Sequence, residues 1–185
     1  MLDNDEHLIA QARINPNAFG KIYDQHVDRI YRYTYRLLLD EAWAQDITAV
    51  TFEKALRHIQ SYEWQGKSVL AWLYRIARNE AISQQRKRKW LTPWKRTITT
   101  EMRFTETAVL QDQRRQEIHQ ALQQLSAKER EVIQLRYFEA LTGEEVAEVL
   151  DCSTNNAYVR LHRALKKLQI ELEAMGVTGE ISYEL

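Results

Sequence analysis

Thr142-Gly-Glu-Glu-Val-Ala-Glu-Val-Leu150, Asp151-Cys-Ser153 and Thr154-Asn-Asn-Ala-Tyr-Val-Arg-Leu-His-Arg-Ala-Leu-Lys-Lys-Leu168 run on as one stretch of the chain. Its spacing predicts two short helices joined by a three-residue turn, a helix-turn-helix. Thr142 and Glu145 stand at capping-box positions, where hydroxyl and carboxylate each satisfy a free backbone N–H of the first turn. The first position of such a turn commonly takes the left-handed conformation, which Gly adopts at least cost; Asp151 is a tolerated substitute. Ser153 is placed to cap the second helix. At 100° per residue, Ala157, Leu161, Ala164, Leu165 and Leu168 fall on one stripe of that helix. Asn155, Asn156, Val159, His162, Arg163 and Lys166 fall on the opposite face, with Arg160 and Lys167 at its edges. Ser153 to Ile170 holds four Lys and Arg residues and no acid, whereas the preceding helix carries Glu144, Glu145 and Glu148. A face of this kind suits duplex DNA: Arg forks to guanine, Asn pairs with adenine, and Val packs on a thymine methyl. An ordinary amphipathic helix with a solvated basic face has the same pattern, and the pattern alone leaves both readings open.

The surroundings are helical too. Ser126-Ala-Lys-Glu129 is a further capping box, opening a helix that ends near Tyr137-Phe138. Ile118, Ala121, Leu122 and Leu125 mark a short helix before it. Further upstream, Thr92 to Asp112 has weak periodicity, Pro93 and six Thr residues. A linker of about 20 residues is unusual inside one compact domain, so it predicts a boundary between two. In the first half, Asn15-Pro16 reads as an N-cap followed by Pro at the first helical position. Phe19, Ile22, Tyr23, Val27, Ile30 and Tyr31 then recur at helical steps, to about Leu39. A second helix is expected from Glu41 to Ser61, with a stripe of Ala44, Ile47, Thr51, Ala55 and Ile59. Tyr62-Glu63-Trp64-Gln65-Gly66 breaks the pattern. A third helix carries Val69, Trp72, Leu73, Ile76 and Ala77 on one face and runs on into Arg86-Lys87-Arg88-Lys89. With 5 Gly and 2 Pro in 185 residues, a turn-rich β fold is disfavoured. The fold class expected is all-α, as two small helical domains joined by a flexible linker. Their expected bounds are 1–91 and 113–174, with the linker at 92–112 and an acidic tail at 175–185.

Lys+Arg and Asp+Glu both number 26, so a global basic excess is absent. The balance is a cancellation. Residues 67–103 hold ten basic and two acidic residues, and the rest of the chain carries the opposite excess. Such a strip attracts phosphates and makes binding salt-dependent. Tyr62, Trp64, Trp72, Tyr74, Trp90 and Trp94 frame it, and aromatics beside a cationic groove can stack unpaired bases. Trp72 lies on the apolar stripe and reads as core; Tyr62 and Trp64 fit either loop packing or base stacking.

Other classes find little support. Cys152 is the one cysteine, which excludes an intramolecular disulfide and a Cys-rich zinc site; in the turn it reads as a small packed side chain. The five His residues make no metal-ligand spacing, and no Gly-rich phosphate loop or nucleophile–base set stands out. No cofactor, metal, small-molecule substrate or catalytic residue is expected. No run of 18 apolar residues occurs, so no membrane contact is expected, and the chain reads as cytoplasmic.

Trp72-Leu-Tyr-Arg-Ile-Ala-Arg-Asn79 with Ala81-Ile82 and Arg86-Lys-Arg-Lys89, Ala44-Gln-Asp46-Ile-Thr-Ala-Val-Thr-Phe52, Leu125-Ser-Ala-Lys-Glu-Arg-Glu-Val-Ile133 and Arg160-Leu-His-Arg-Ala164 together resemble an extracytoplasmic-function (group IV) sigma factor of bacterial RNA polymerase. The resemblance covers roughly Ala18–Trp90 and Ala121–Leu172. It implies a promoter-specificity subunit that binds core polymerase and reads the −10 and −35 elements. Asp46, Thr48 and Glu53 would face the clamp coiled coil of the polymerase β′ subunit. The loop Tyr62–Lys67, with Tyr62 and Trp64, would hold a base flipped from the −10 element. Arg75, Arg78, Asn79 and Ser83 would face −10 DNA, and Arg86, Lys87, Arg88 and Lys89 its phosphates. Asn156, Tyr158, Val159, His162 and Arg163 align with −35 readers, and Arg160 with a backbone contact. Many members have Gln at the place of Ala49 and Gly at that of Asp151. A basic residue commonly stands where this chain has Tyr158, and Ser where it has Val159, which should alter the −35 sequence read. Many members are also held by an anti-sigma factor. A stand-alone helix-turn-helix regulator is the alternative reading; promoter-specific initiation with core polymerase separates the two.

Overall fold

The computed structural model describes residues 2–62, 66, 68–91 and 109–177, with side chains left out at 2–4, 87–91 and 109–115. Among the described residues there are helices and turns and no strand, so the all-α expectation holds. The chain divides into two compact units, one in each half.

The N-terminal unit holds α1 (Leu2–Ile14), α2 (Phe19–Leu38), α3 (Glu41–His58) and α4 (Val69–Leu91), with 3-10 turns at Pro16–Ala18 and Ile59–Ser61. Asn15 accepts a hydrogen bond from the Asn17 N–H at 3.0 Å, and Pro16 opens the turn that leads into α2. Asp40 caps α3 by accepting from the Trp43 N–H at 2.9 Å. At its other end the expected second helix tightens to a 3-10 turn over its last three residues. α1 was not expected. Its buried residues are few, Leu8, Ile9 and Ala12 beside Asp5, too few to give a clear period.

α2, α3 and α4 pack on one another around Ile22, Ile30, Tyr33, Ile47, Leu73 and Tyr74, each almost completely buried. Tyr33 and Tyr74 meet edge to face, ring centres 4.9 Å apart, the arrangement that the aromatic quadrupole favours. Phe52 takes Tyr23 edge-on at 4.8 Å. Between α2 and α3 runs a buried polar line. The Thr34 hydroxyl donates to Tyr31 O and lies 3.1 Å from that of Thr48, which donates to Ala44 O at 2.7 Å. These bonds satisfy hydroxyls that would otherwise be costly to bury. Glu80 of α4, 8 % exposed, pairs with Lys54 of α3 and accepts from Gln84.

His26 of α2 is half-buried, and neither ring nitrogen has a hydrogen-bond partner among the described residues. Burial lowers its pKa from 6.5, against the pull of the Asp5 carboxylate and with a push from Arg29. The unfolded chain then binds a proton at a pH where the folded unit stays neutral, so stability falls as pH drops through 6.5. The Tm should decline between about pH 7 and pH 5.5, and His26→Gln should flatten that decline. An unchanged slope in the variant would assign it to other groups.

The C-terminal unit holds α5 (Val109–Gln124), α6 (Ala127–Ile133), a π turn at Gln134–Phe138, α7 (Gly143–Val149) and α8 (Thr154–Ala174). The expected linker is thus shorter at its far end: residues 109–112 are helical, and 92–108 lie outside the described residues. The Ser126 capping box is complete. Arg130 donates to Gln123 O and Leu125 O, closing the end of α5. The second box is complete as well: Thr142 N–H donates to Glu145 at 2.8 Å, and Glu145 N–H to the Thr142 hydroxyl at 3.2 Å.

Candidate nucleic-acid interfaces

α7 ends in a Schellman motif. Cys152 N–H donates to Ala147 O at 3.0 Å and Asp151 N–H to Glu148 O at 3.2 Å. Asp151 has φ 53°, the left-handed conformation expected for this place. Ser153 then caps α8, accepting from the Asn156 N–H. The three residues turn the chain and start the next helix with little freedom left.

α8 buries Ala157, Leu161, Ala164, Leu165, Leu168 and Leu172. Opposite this stripe Asn155, Asn156, Val159, Arg160, His162, Arg163 and Lys166 are exposed. Asn156 accepts from the Arg160 Nε at 2.9 Å, so the two present one joined polar surface. The amide, methyl and guanidinium groups needed for base-edge contacts therefore share one face.

Two residues expected on that face are placed otherwise. Lys167 reaches 3.2 Å to the Glu129 carboxylate of the Ser126 capping box, tying α8 to α6. Hydrogen bonds from Ser126, with Lys167 adding to them, hold the Glu129 carboxyl below the usual range. The Lys167 side chain is still 41 % exposed. Tyr158 is half-buried, and its ring lies over Gly143, where a Cβ would overlap it. Its phenol folds back on α7.

In the N-terminal unit, α4 buries Val69, Leu70, Leu73, Tyr74, Ala77, Glu80 and Ala81. The other face carries Arg75, Arg78 and Ser83, half-buried, with Asn79 and Arg86 exposed. Helical spacing puts these five in one band. Lys87, Arg88 and Lys89 continue the helix, their side chains outside the described ones. Tyr62 stacks on Trp72, ring centres 4.3 Å apart and planes at 36°, so Trp72 is only partly core. Burial pushes the Tyr62 phenol up to about 12. Trp64 lies outside the described residues.

On α3, Asp46 is exposed, and Glu53 is exposed and paired with Arg57 one turn on. Thr48 is 6 % exposed and bonded inside the unit. It cannot face a partner, because its turn of α3 packs on α2.

One basic helical band in the N-terminal unit and a helix-turn-helix in the C-terminal one define a helical DNA-binding protein. The sigma-70 region 2 model matches residues 22–91 and the sigma-70 region 4 model residues 115–168. The chain is 31 % identical over 159 residues to the extracytoplasmic-function sigma factor SigL of Mycobacterium tuberculosis, covering 85 % of this chain and 90 % of SigL. It is 32 % identical over 156 residues to BldN of Streptomyces coelicolor, but the match spans 59 % of BldN's length and 82 % of this chain. A chain from the structure of CnrH in complex with the cytosolic domain of CnrY superposes with TM-score 0.66 at 26 % identity, covering 92 % of this chain and 97 % of that one. A chain from the complex of the sigma factor RpoE with the anti-sigma factor NepR of Bartonella quintana gives 0.66 at 25 % identity, covering 84 % and 96 %. The chain belongs to the extracytoplasmic-function RNA polymerase sigma factors of the sigma-70 family. No described helix is long and apolar enough to cross a membrane.

Proposed function

We propose that this sigma factor is a group IV promoter-specificity subunit of the cytoplasm, without catalysis of its own. The exposed face of α3, with Asp46 and Glu53, docks on the β′ clamp coiled coil. The band Arg75, Arg78, Asn79, Ser83 and Arg86, continued by Lys87-Arg88-Lys89, meets the −10 element. Tyr62 and Trp64, before α4, hold a base turned out of the stack. α8 reads the −35 element through Asn155, Asn156, Val159, His162 and Arg163, while Arg160 and Lys166 meet phosphates. The observation that carries this reading is the presence of two such faces in two units, each opposite its own buried stripe. Two linked readers assist each other through effective concentration when both elements lie on one duplex. The complex of RpoE with the anti-sigma factor NepR supports an anti-sigma partner for this chain as well.

The test is transcription by purified core polymerase with and without this protein, followed by sequencing of transcript 5′ ends. Initiation from a defined set of promoters is expected, and the same data give the −10 and −35 sequences. Absence of core binding would sink the proposal in favour of a stand-alone regulator. On the promoters found, Trp64→Ala should slow open-complex formation more than closed-complex binding, since an extruded base costs a few kcal/mol that the pocket offsets. An unchanged opening rate in the folded variant would remove Trp64 from the site.

A further inference from the structure

Asp5 belongs to an element that neither promoter-reading face includes, yet it is 6 % exposed and bonded to a residue 64 positions away. Its Oδ2 accepts a hydrogen bond from the Val69 N–H at 3.1 Å. Val69 is the first residue of α4, so this N–H is one that no carbonyl inside the helix can take. The local cap is Ser68, whose hydroxyl and carbonyl both take the Ala71 N–H. Asp5 supplies what Ser68 leaves over, and its negative charge sits at the positive end of the helix dipole. α1 also packs against the 3-10 turn Ile59–Ser61, and Leu8, Ile9 and Ala12 bury it in the unit. One helix therefore grips the chain on both sides of residues 62–68, where α3 leaves off and α4 begins.

We propose that Asp5 is a positioning residue for promoter opening: α1 acts as a remote cap that fixes the start of α4. This rests on the assignment of α4 to the −10 element. Asp5 touches no DNA. It acts by holding Val69, and through Val69 the pitch of the band that begins at Arg75.

The test uses the full chain with core polymerase on the promoters mapped above, comparing Asp5→Ala, Asp5→Asn and Arg78→Ala. In Asp5→Ala, hydrogen exchange at the Val69 amide should quicken roughly tenfold while that of Ala55 in α3 stays within about twofold. Open-complex formation should slow roughly tenfold, with core-polymerase affinity within about twofold. Asp5→Asn keeps an acceptor oxygen and should recover most of both. A wild-type opening rate in Asp5→Ala alongside a slowed Arg78→Ala overturns the proposal. Wild-type rates in both variants instead overturn the assignment of α4. A fall in opening that merely tracks a fall in polymerase binding shows a role in folding alone and also overturns it. If Asp5→Ala fails to fold, Asp5→Ser, whose shorter side chain does not reach the Val69 N–H, decides: faster Val69 exchange with slower opening supports the remote cap, and wild-type behaviour in both refutes it.

Discussion

Tyr74→Ala should cost the N-terminal unit about 3–5 kcal/mol, the range for deleting a buried aromatic side chain. Tyr74 is fully buried and packs edge to face on Tyr33 of α2, so the cavity opens where two helices meet. Domains of this size hold about 5–15 kcal/mol in all, and the Tm should fall by more than about 10 °C. Tyr74→Phe, which keeps the ring, should cost no more than about 1–2 kcal/mol. Urea denaturation of the full chain, followed by far-UV circular dichroism, measures both. The result matters because Tyr74 lies inside Trp72-Leu-Tyr-Arg-Ile-Ala-Arg-Asn79, the segment that most strongly suggests −10 binding. An alanine scan there would score Tyr74 as a DNA contact when its loss is one of folding. A Tyr74→Ala variant with an unchanged midpoint would show that α4 is not anchored as described.

Arg163→Ala should weaken binding to the cognate −35 element by about 1–3 kcal/mol, a factor of roughly 5 to 150, and relax the sequence preference at one base pair. Arg163 is exposed on α8, one turn beyond Val159 and two beyond Asn156, so its guanidinium stands in line with the other base-edge groups. Lys166→Ala should behave differently. Its loss should be uniform across −35 variants and lower the salt dependence by about one counterion. The measurement is holoenzyme affinity for a panel of −35 substitutions at two salt concentrations. Equal loss on every variant would reassign Arg163 to the phosphate backbone. Lys167→Ala serves as the internal contrast: it should act on stability through Glu129, with little change in sequence preference.

The helix-turn-helix was legible because its determinants are local. Capping boxes span four residues, the Schellman turn six, and the stripe of α8 repeats within one helix. Its position in the motif places Thr48 toward the polymerase, although its spacing, four residues after Ala44 and seven before Ala55, puts it on the buried stripe. α1 escaped because its short buried face reaches a threshold only when α2 and the Ile59–Ser61 turn cover it. Lys167 and Asp5 escaped for another reason. Their partners, Glu129 and Val69, are 38 and 64 residues away, and no pattern along the chain carries a contact of that separation. Side chains on an exposed face read alike in sequence whether they meet solvent, DNA or a distant carboxylate.

Gly143 and Tyr158 are coupled positions. The Tyr158 ring fills the space that any side chain at 143 would need, so position 143 is closed to all other residues while the aromatic stays in place. A library built to redirect promoter choice by randomising α8 alone would explore position 158 with an open gap beside it. Opening both positions together admits pairs, such as Gly143→Ala combined with a small residue at 158, that single-site evolution from this sequence reaches only through a clashing or an underpacked intermediate.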